Sequence, residues 1–157
     1  MEIRGEWFRC VNLRRDPLST EGARFFGGRL NCVGEPALYL ASTPTLAVAE
    51  NLQLAGMFGV RRFPPRLLVT IEVTLRRVVD LRSDEVLAEF GLAADQLLGA
   101  WRGDGNAPNP TQVIGRNLAS MGYEGAILPS AIEPCSANLA IFVQNIDFAE
   151  TVHIVGD

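Results

Sequence analysis

Between Leu67 and Leu81 the chain reads LLVTIEVTLRRVVDL, with Val69, Ile71, Val73 and Leu75 alternating against Leu68, Thr70, Glu72 and Thr74. A period of two predicts a strand with one apolar and one polar face. Shorter runs rich in aromatic and branched residues predict strands at Trp7–Val11, Ala37–Ala41, Tyr123–Leu128 and Asn138–Val143, with a weak last one over Thr151–Val155. Helical spacing appears elsewhere. Thr43 is placed to cap a helix and Pro44 to open it. Leu46, Glu50, Gln53, Leu54 and Met57 then fall on one helical stripe, predicted to face the core. Asn109-Pro110 repeats the cap and opening, with Val113, Ile114, Asn117, Leu118 and Met121 supporting a helix that ends at Gly122. Two short helices are predicted from Ser83 to Phe90 and from Ala94 to Trp101, followed by a turn over Gly103-Asp104-Gly105-Asn106. That turn resembles a calcium loop only superficially, because Ala107 and Pro108 fill the later ligand positions. The stretch from Asn12 to Pro36 is a connection of about 25 residues, a length more often functional than idle. Strands at both ends with helices between them predict one mixed α/β domain of the α+β type.

Composition supports a folded domain. A chain of 157 residues with 48% hydrophobic and 20% charged side chains is too apolar for disorder. A chain of this size hides roughly 70% of its unfolded surface. No apolar run reaches about 18 residues, so no membrane span is expected. No secretory leader is visible in the first residues, which makes the cytoplasm the expected location. All 14 basic residues are arginine, and the net charge is −4. Six arginines precede residue 36, and none follows Arg116. Nucleic-acid binding usually needs a net basic face and is not expected here, while a small anionic ligand suits the arginine-rich N-terminal half.

The catalytic inventory is narrow. Cys10, Cys32 and Cys135 are odd in number and far apart, which predicts buried free thiols and neither a disulfide framework nor a zinc site. His153 is the only histidine and lies four residues from the end, so an enzyme built on this chain works without the usual imidazole base. In Gly27-Gly28-Arg29-Leu30-Asn31, the glycines allow positive φ and close backbone approach, and the arginine fork suits a diphosphate. Such a segment is also common in surface turns. Tyr39 interrupts an aliphatic strand, either as a core aromatic or as a ring for a flat ligand. Glu50 places a carboxylate on an apolar stripe, which requires a partner, a proton or a cleft wall. Pro129-Ser130 and Asn138 set small polar groups at one sheet edge, where turn chemistry is the commoner explanation.

The order and spacing of these residues resemble the RES domain family, named for its Arg, Glu and Ser. The resemblance runs from about Trp7 to Phe142, through FFGGRLNCVGEPALYLASTPTLAVAE and LPSAIEPCSANLAIF. Its most specific part is the GGR-x-N-x-x-G-x-x-A-L-Y segment with a glutamate 11 residues after the tyrosine. The family supplies the toxin of bacterial toxin–antitoxin pairs whose antitoxin is an Xre-type helix-turn-helix protein. The resemblance implies an ADP-ribosyltransferase-like fold and NAD+ as substrate, with no separate cofactor and no metal. It implies Arg29, Tyr39, Glu50 and Ser130 as catalytic residues, and Arg9, Gly28, Asn31 and Asn138 as substrate-binding ones. Ser136 competes with Ser130 for the family's serine. Past Phe142 the chain reads VQNIDFAE, where many relatives carry Asn-Pro and a histidine, and the correspondence stops there.

The implied activity is cleavage of the nicotinamide–ribose bond with water or phosphate as acceptor. The alternatives are transfer of ADP-ribose to a protein side chain and a non-catalytic nucleotide-binding module. A homodimer is a further option that no sequence feature decides.

Overall fold

In the computed structural model, residues 1–57, 59, 61–101 and 107–156 are described. The turn expected over 103–106 lies outside the described residues. The strands are β1 (Ile3–Asn12), β2 (Leu38–Ala41), β3 (Arg66–Leu75), β4 (Val78–Asp80), β5 (Gly125–Pro129), β6 (Ala137–Ile141) and β7 (Val152–Ile154). The helices are α1 (Glu21–Phe26), α2 (Pro44–Met57), α3 (Asp84–Glu89), α4 (Ala94–Leu98), α5 (Pro110–Ser120) and α6 (Phe148–Thr151). Among the described residues these strands form one sheet in the order β4-β5-β6-β2-β1-β3-β7. It is mixed, with β4 and β5 parallel and the other pairs antiparallel.

Each side of the sheet carries an apolar layer. Leu81, Leu87, Leu97, Leu118, Leu128 and Phe142 pack on one side, beneath the short helices. Leu38, Leu40, Ile71, Val73, Leu139 and Ile141 pack on the other. The alternation along 69–75 holds: Ile71, Val73 and Leu75 are buried and Glu72 and Thr74 exposed. The expected cap residues also work as caps. Thr43 Oγ1 accepts from the Leu46 amide, Ser83 from Val86, and Asn109 from Thr111 and Gln112.

Four expectations need correction. The 12–36 connection contains α1, a helix too short for periodicity to reveal. The long strand predicted over 67–81 breaks at Arg76-Arg77, where both amides donate to Glu124 Oε2. Beyond the break the chain leaves the β1 side and pairs with β5. The stripe of α2 is turned: Leu46, Ala47 and Ala55 are buried, while Leu54 and Met57 are exposed. Ala47 packs with Cys10 and Ala41, and the Asn51 amide donates to the Cys10 carbonyl, so small and amide side chains fit the approach to β1. Of the three thiols only Cys10 is buried, and Cys135 is exposed.

Candidate functional site

The GGR segment is shaped by its two glycines in different ways. Gly27 has φ +72°, a conformation costly for other residues. Gly28 is held by contact: a Cβ there would stand 2.6 Å from Asn31 Oδ1 and 2.7 Å from the Tyr39 hydroxyl. That hydroxyl donates to Asn31 Oδ1 at 2.8 Å and accepts from the Leu30 amide at 3.0 Å. The Asn31 amide group donates in turn to the carbonyls of Ala23, Cys32 and Glu35. Asn31 is therefore an organiser beneath the loop, and Tyr39 links that loop to β2. Burial raises the Tyr39 hydroxyl's pKa, with the Leu30 amide and the Arg29 charge opposing.

Arg29 emerges from this base. Its Nη1 donates to the Gly99 carbonyl at 2.8 Å, just past the end of α4. Burial lowers its pKa, and the charges of Glu50 and Tyr39 act in the opposite direction.

Register brings Asn138 to the same sheet face as Tyr39. On the β2–β6 ladder Tyr39 stands opposite Ala140, and Ala41 opposite Asn138. Residues two apart, and residues directly opposite, share a face. Asn138 Nδ2 donates to Glu50 Oε1 at 2.6 Å, from β6 to α2. Burial raises the Glu50 pKa, while the Asn138 hydrogen bond and the Arg29 charge oppose that shift. Glu50 is thus a desolvated carboxylate with one amide donor and one nearby cation. It takes no part in the close ion pairs Arg82–Asp80 and Arg116–Glu35.

Ser130 and Arg9 are placed differently. Ser130 is buried, and its Oγ accepts from the amides of Ile132 and Glu133 in the β5–β6 loop. Ser136, half-buried in the same loop, donates to Glu133 Oε2 at 2.7 Å. Arg9 donates from Nη1 to the carbonyls of Pro17 and Ser19, bracing the loop after β1. Burial there lowers its pKa to about 10, despite the charge of Asp16. Arg29, Glu50, Tyr39 and Asn138 are thus brought together by hydrogen bonds or mutual charge. Arg9 and Ser130 instead bond to the loops beside them, Arg9 to Pro17 and Ser19, and Ser130 to Ile132 and Glu133.

Sequence reasoning missed Thr111 and Gln112. Thr111 Oγ1 stands 2.7 Å from the Arg29 carbonyl, and Gln112 Nε2 donates to the Gly28 and Asn31 carbonyls. The only signal was the helix start at Asn109, which says nothing of what a cap residue touches beyond its own helix. Among the described residues, no cluster of His, Cys, Asp and Glu could hold a metal ion. None of their helices is long and apolar enough to cross a membrane.

The mixed seven-stranded sheet, with the Glu50–Asn138 contact on the face that carries Tyr39, is shared with known proteins. A chain in the crystal structure of the M. tuberculosis MbcT–MbcA toxin–antitoxin complex superimposes with a TM-score of 0.78 and 26% identity, covering 98% of this chain and 82% of that one. Residues 6–156 match the RES domain, and the chain belongs to the RES domain family. NAD(+) phosphorylase MbcT of Mycobacterium tuberculosis is 32% identical over 136 residues, which covers 80% of this chain and 69% of the relative. Toxin Res of Photorhabdus laumondii is 27% identical over 150 residues, with 87% and 80% covered.

Proposed function

We propose that this chain is an NAD+-consuming toxin that cleaves the nicotinamide–ribose bond and passes ADP-ribose to phosphate. The observation that carries the reading is Glu50, held at 2.6 Å by Asn138 and within the field of Arg29. The similarity to MbcT supports NAD+ as substrate and favours phosphate over water as acceptor.

The chemistry asks little of acid–base groups. As the ribose C1′–N bond breaks, its electron pair goes to the pyridinium nitrogen, and nicotinamide leaves neutral without a proton. Positive charge builds on the sugar in an oxocarbenium-like state, as in glycoside hydrolysis. A fixed carboxylate beside the ribose stabilises that charge most in a site with little water. Glu50 fills this role, and it must be ionised to do so. Burial works against ionisation, and the Asn138 hydrogen bond and the Arg29 charge act in its favour. A phosphate oxygen then forms the new C1′–O bond, giving ADP-ribose 1″-phosphate. Arg29 contacts the diphosphate or the adjoining ribose. Tyr39 backs the nicotinamide end, and Ser130 shapes the loop that leads into Asn138. Gly28 and Asn31 set the Arg29 loop, and Arg9 braces the neighbouring one. The partner fitting this reading is an Xre-type antitoxin that covers the cleft, and the cytoplasm, where NAD+ is held, is the matching location.

Proton NMR of NAD+ incubated with the protein tests the reading. Free nicotinamide, with a second product that appears only when phosphate is present, supports it. Plain ADP-ribose in phosphate buffer would replace phosphorolysis by hydrolysis. Intact NAD+ with folded, antitoxin-free protein would overturn the reading.

A further inference from the structure

The first turn of α5 meets residues 28–31 along one face. Thr111 is 2% exposed, and its Oγ1 lies 2.7 Å from both the Arg29 carbonyl and Asn109 Oδ1. Asn109 Oδ1 already accepts the amides of Thr111 and Gln112, so the single hydroxyl proton is best used on Arg29. Gln112 works in two directions. Its Oε1 accepts from the Asn109 amide and closes the capping box, while its Nε2 donates to the carbonyls of Gly28 at 3.1 Å and Asn31 at 3.2 Å. One turn later, a Cβ on Gly115 would lie 1.8 Å from the Leu30 carbonyl oxygen, so helix and loop meet backbone to backbone. Capping side chains ordinarily serve their own helix. Here the box residue Gln112 and its neighbour Thr111 reach three carbonyls of a loop that lies more than 80 residues earlier in the chain.

We propose that Thr111 and Gln112 are positioning residues for Arg29, holding the backbone at 28, 29 and 31 so that the guanidinium keeps its place at the end of α4. The proposal rests on the reading above, in which Arg29 contacts NAD+. Arg29 is then fixed at both ends, its backbone by α5 and its head by the Gly99 carbonyl at the end of α4. Catalytic groups held by neighbouring hydrogen bonds lose effectiveness when that support is removed, even though the support never touches substrate.

The test measures NAD+ dissociation constants by calorimetry in full-length protein carrying Glu50→Gln, which blocks turnover. Thr111→Val removes the hydroxyl and keeps the shape. Thr111→Ser keeps the hydroxyl. Gln112→Glu keeps the cap acceptor and loses both donations to the loop. Arg29→Ala supplies the reference. Thr111→Val and Gln112→Glu are each expected to weaken binding about tenfold, the scale of one lost buried hydrogen bond. Thr111→Ser should stay near the parent. In the Arg29→Ala background, Thr111→Val should add no further weakening, because its effect passes through the guanidinium.

Equal weakening with and without Arg29 would reduce Thr111 to a general structural part and overturn the proposal. Undiminished binding in both Thr111→Val and Gln112→Glu, with Arg29→Ala weakened, would overturn the positioning role alone. Undiminished binding in Arg29→Ala would remove the role given to Arg29 and the positioning proposal with it. If Thr111→Val does not fold, Gln112→Glu carries the same comparison.

Discussion

Asn138 Nδ2 stands 2.6 Å from Glu50 Oε1, joining strand β6 to helix α2 across 88 residues of chain. This contact favours the charged form of a carboxylate whose burial discourages charge. It lies on the sheet face that carries Tyr39, and Arg29 is close enough to bias Glu50 toward ionisation.

Glu50→Gln keeps an acceptor for Asn138 and removes the charge. Nicotinamide release is expected to fall by roughly two to three orders of magnitude, the scale of losing one preorganised electrostatic group. The circular dichroism spectrum should match wild type. A variant with full turnover would remove Glu50 from the mechanism.

The same substitution has a pH signature in stability. The Glu50 carboxyl titrates higher in the folded chain than in the unfolded one, because burial disfavours its charge. Its contribution to folding is complete below the unfolded pKa and is lost as pH rises through the raised folded pKa. Gln cannot titrate. The melting temperature of Glu50→Gln relative to wild type should therefore rise with pH, starting from the ordinary glutamate range of about 4.3 and continuing upward. Melting curves across that window check the sign.

Asn138→Leu removes the hydrogen bond that most favours ionised Glu50. The acid limb of NAD+ turnover should move to higher pH, since more alkaline conditions are then needed to ionise the carboxyl. A pH–rate profile with an unmoved acid limb would show that Asn138 does not tune Glu50.

Two glycines should differ in cost. Gly28→Ala drives a methyl into the Tyr39 hydroxyl and ring edge, which are side-chain atoms. Overpacking of this kind costs about 1–3 kcal/mol. Gly115→Ala meets the Leu30 backbone at 1.8 Å, so α5 itself must move. Urea denaturation should rank Gly115→Ala as the more damaging.

Ser130→Ala leaves the amides of half-buried Ile132 and Glu133 without the acceptor that buried Ser130 supplies. A loss of about 1–3 kcal/mol is expected, the scale of an unsatisfied buried group. Ser136 is less buried, and its bond to Glu133 is one that water can replace. Ser136→Ala should cost less in the same denaturation assay.

Local signals in the chain carried much of this protein. The alternation over 69–75, the caps at Thr43, Ser83 and Asn109, and the glycine pair before Arg29 express rules that operate within a few residues. Glu50 stood out because a carboxylate on an apolar stripe demands an explanation. The family likeness supplied the order of the site residues along the chain.

Tertiary structure decided what these residues touch. The α2 stripe reads as a row of large side chains, but the approach to β1 is made by Ala47 and Asn51, and Leu54 and Met57 are exposed. The strand over 67–81 reads as continuous because β-propensity does not register a change of partner at Arg76-Arg77. Asn138 reads as a small polar residue opening a strand, and only the β2–β6 register sets its amide beside Glu50. Thr111 and Gln112 looked like ordinary helix-start residues until α5 was packed on the Arg29 loop. Local composition sets which conformations a segment prefers. Which polar atoms meet across 80 or more residues depends on strand register and helix docking, and those are settled only when the whole chain packs.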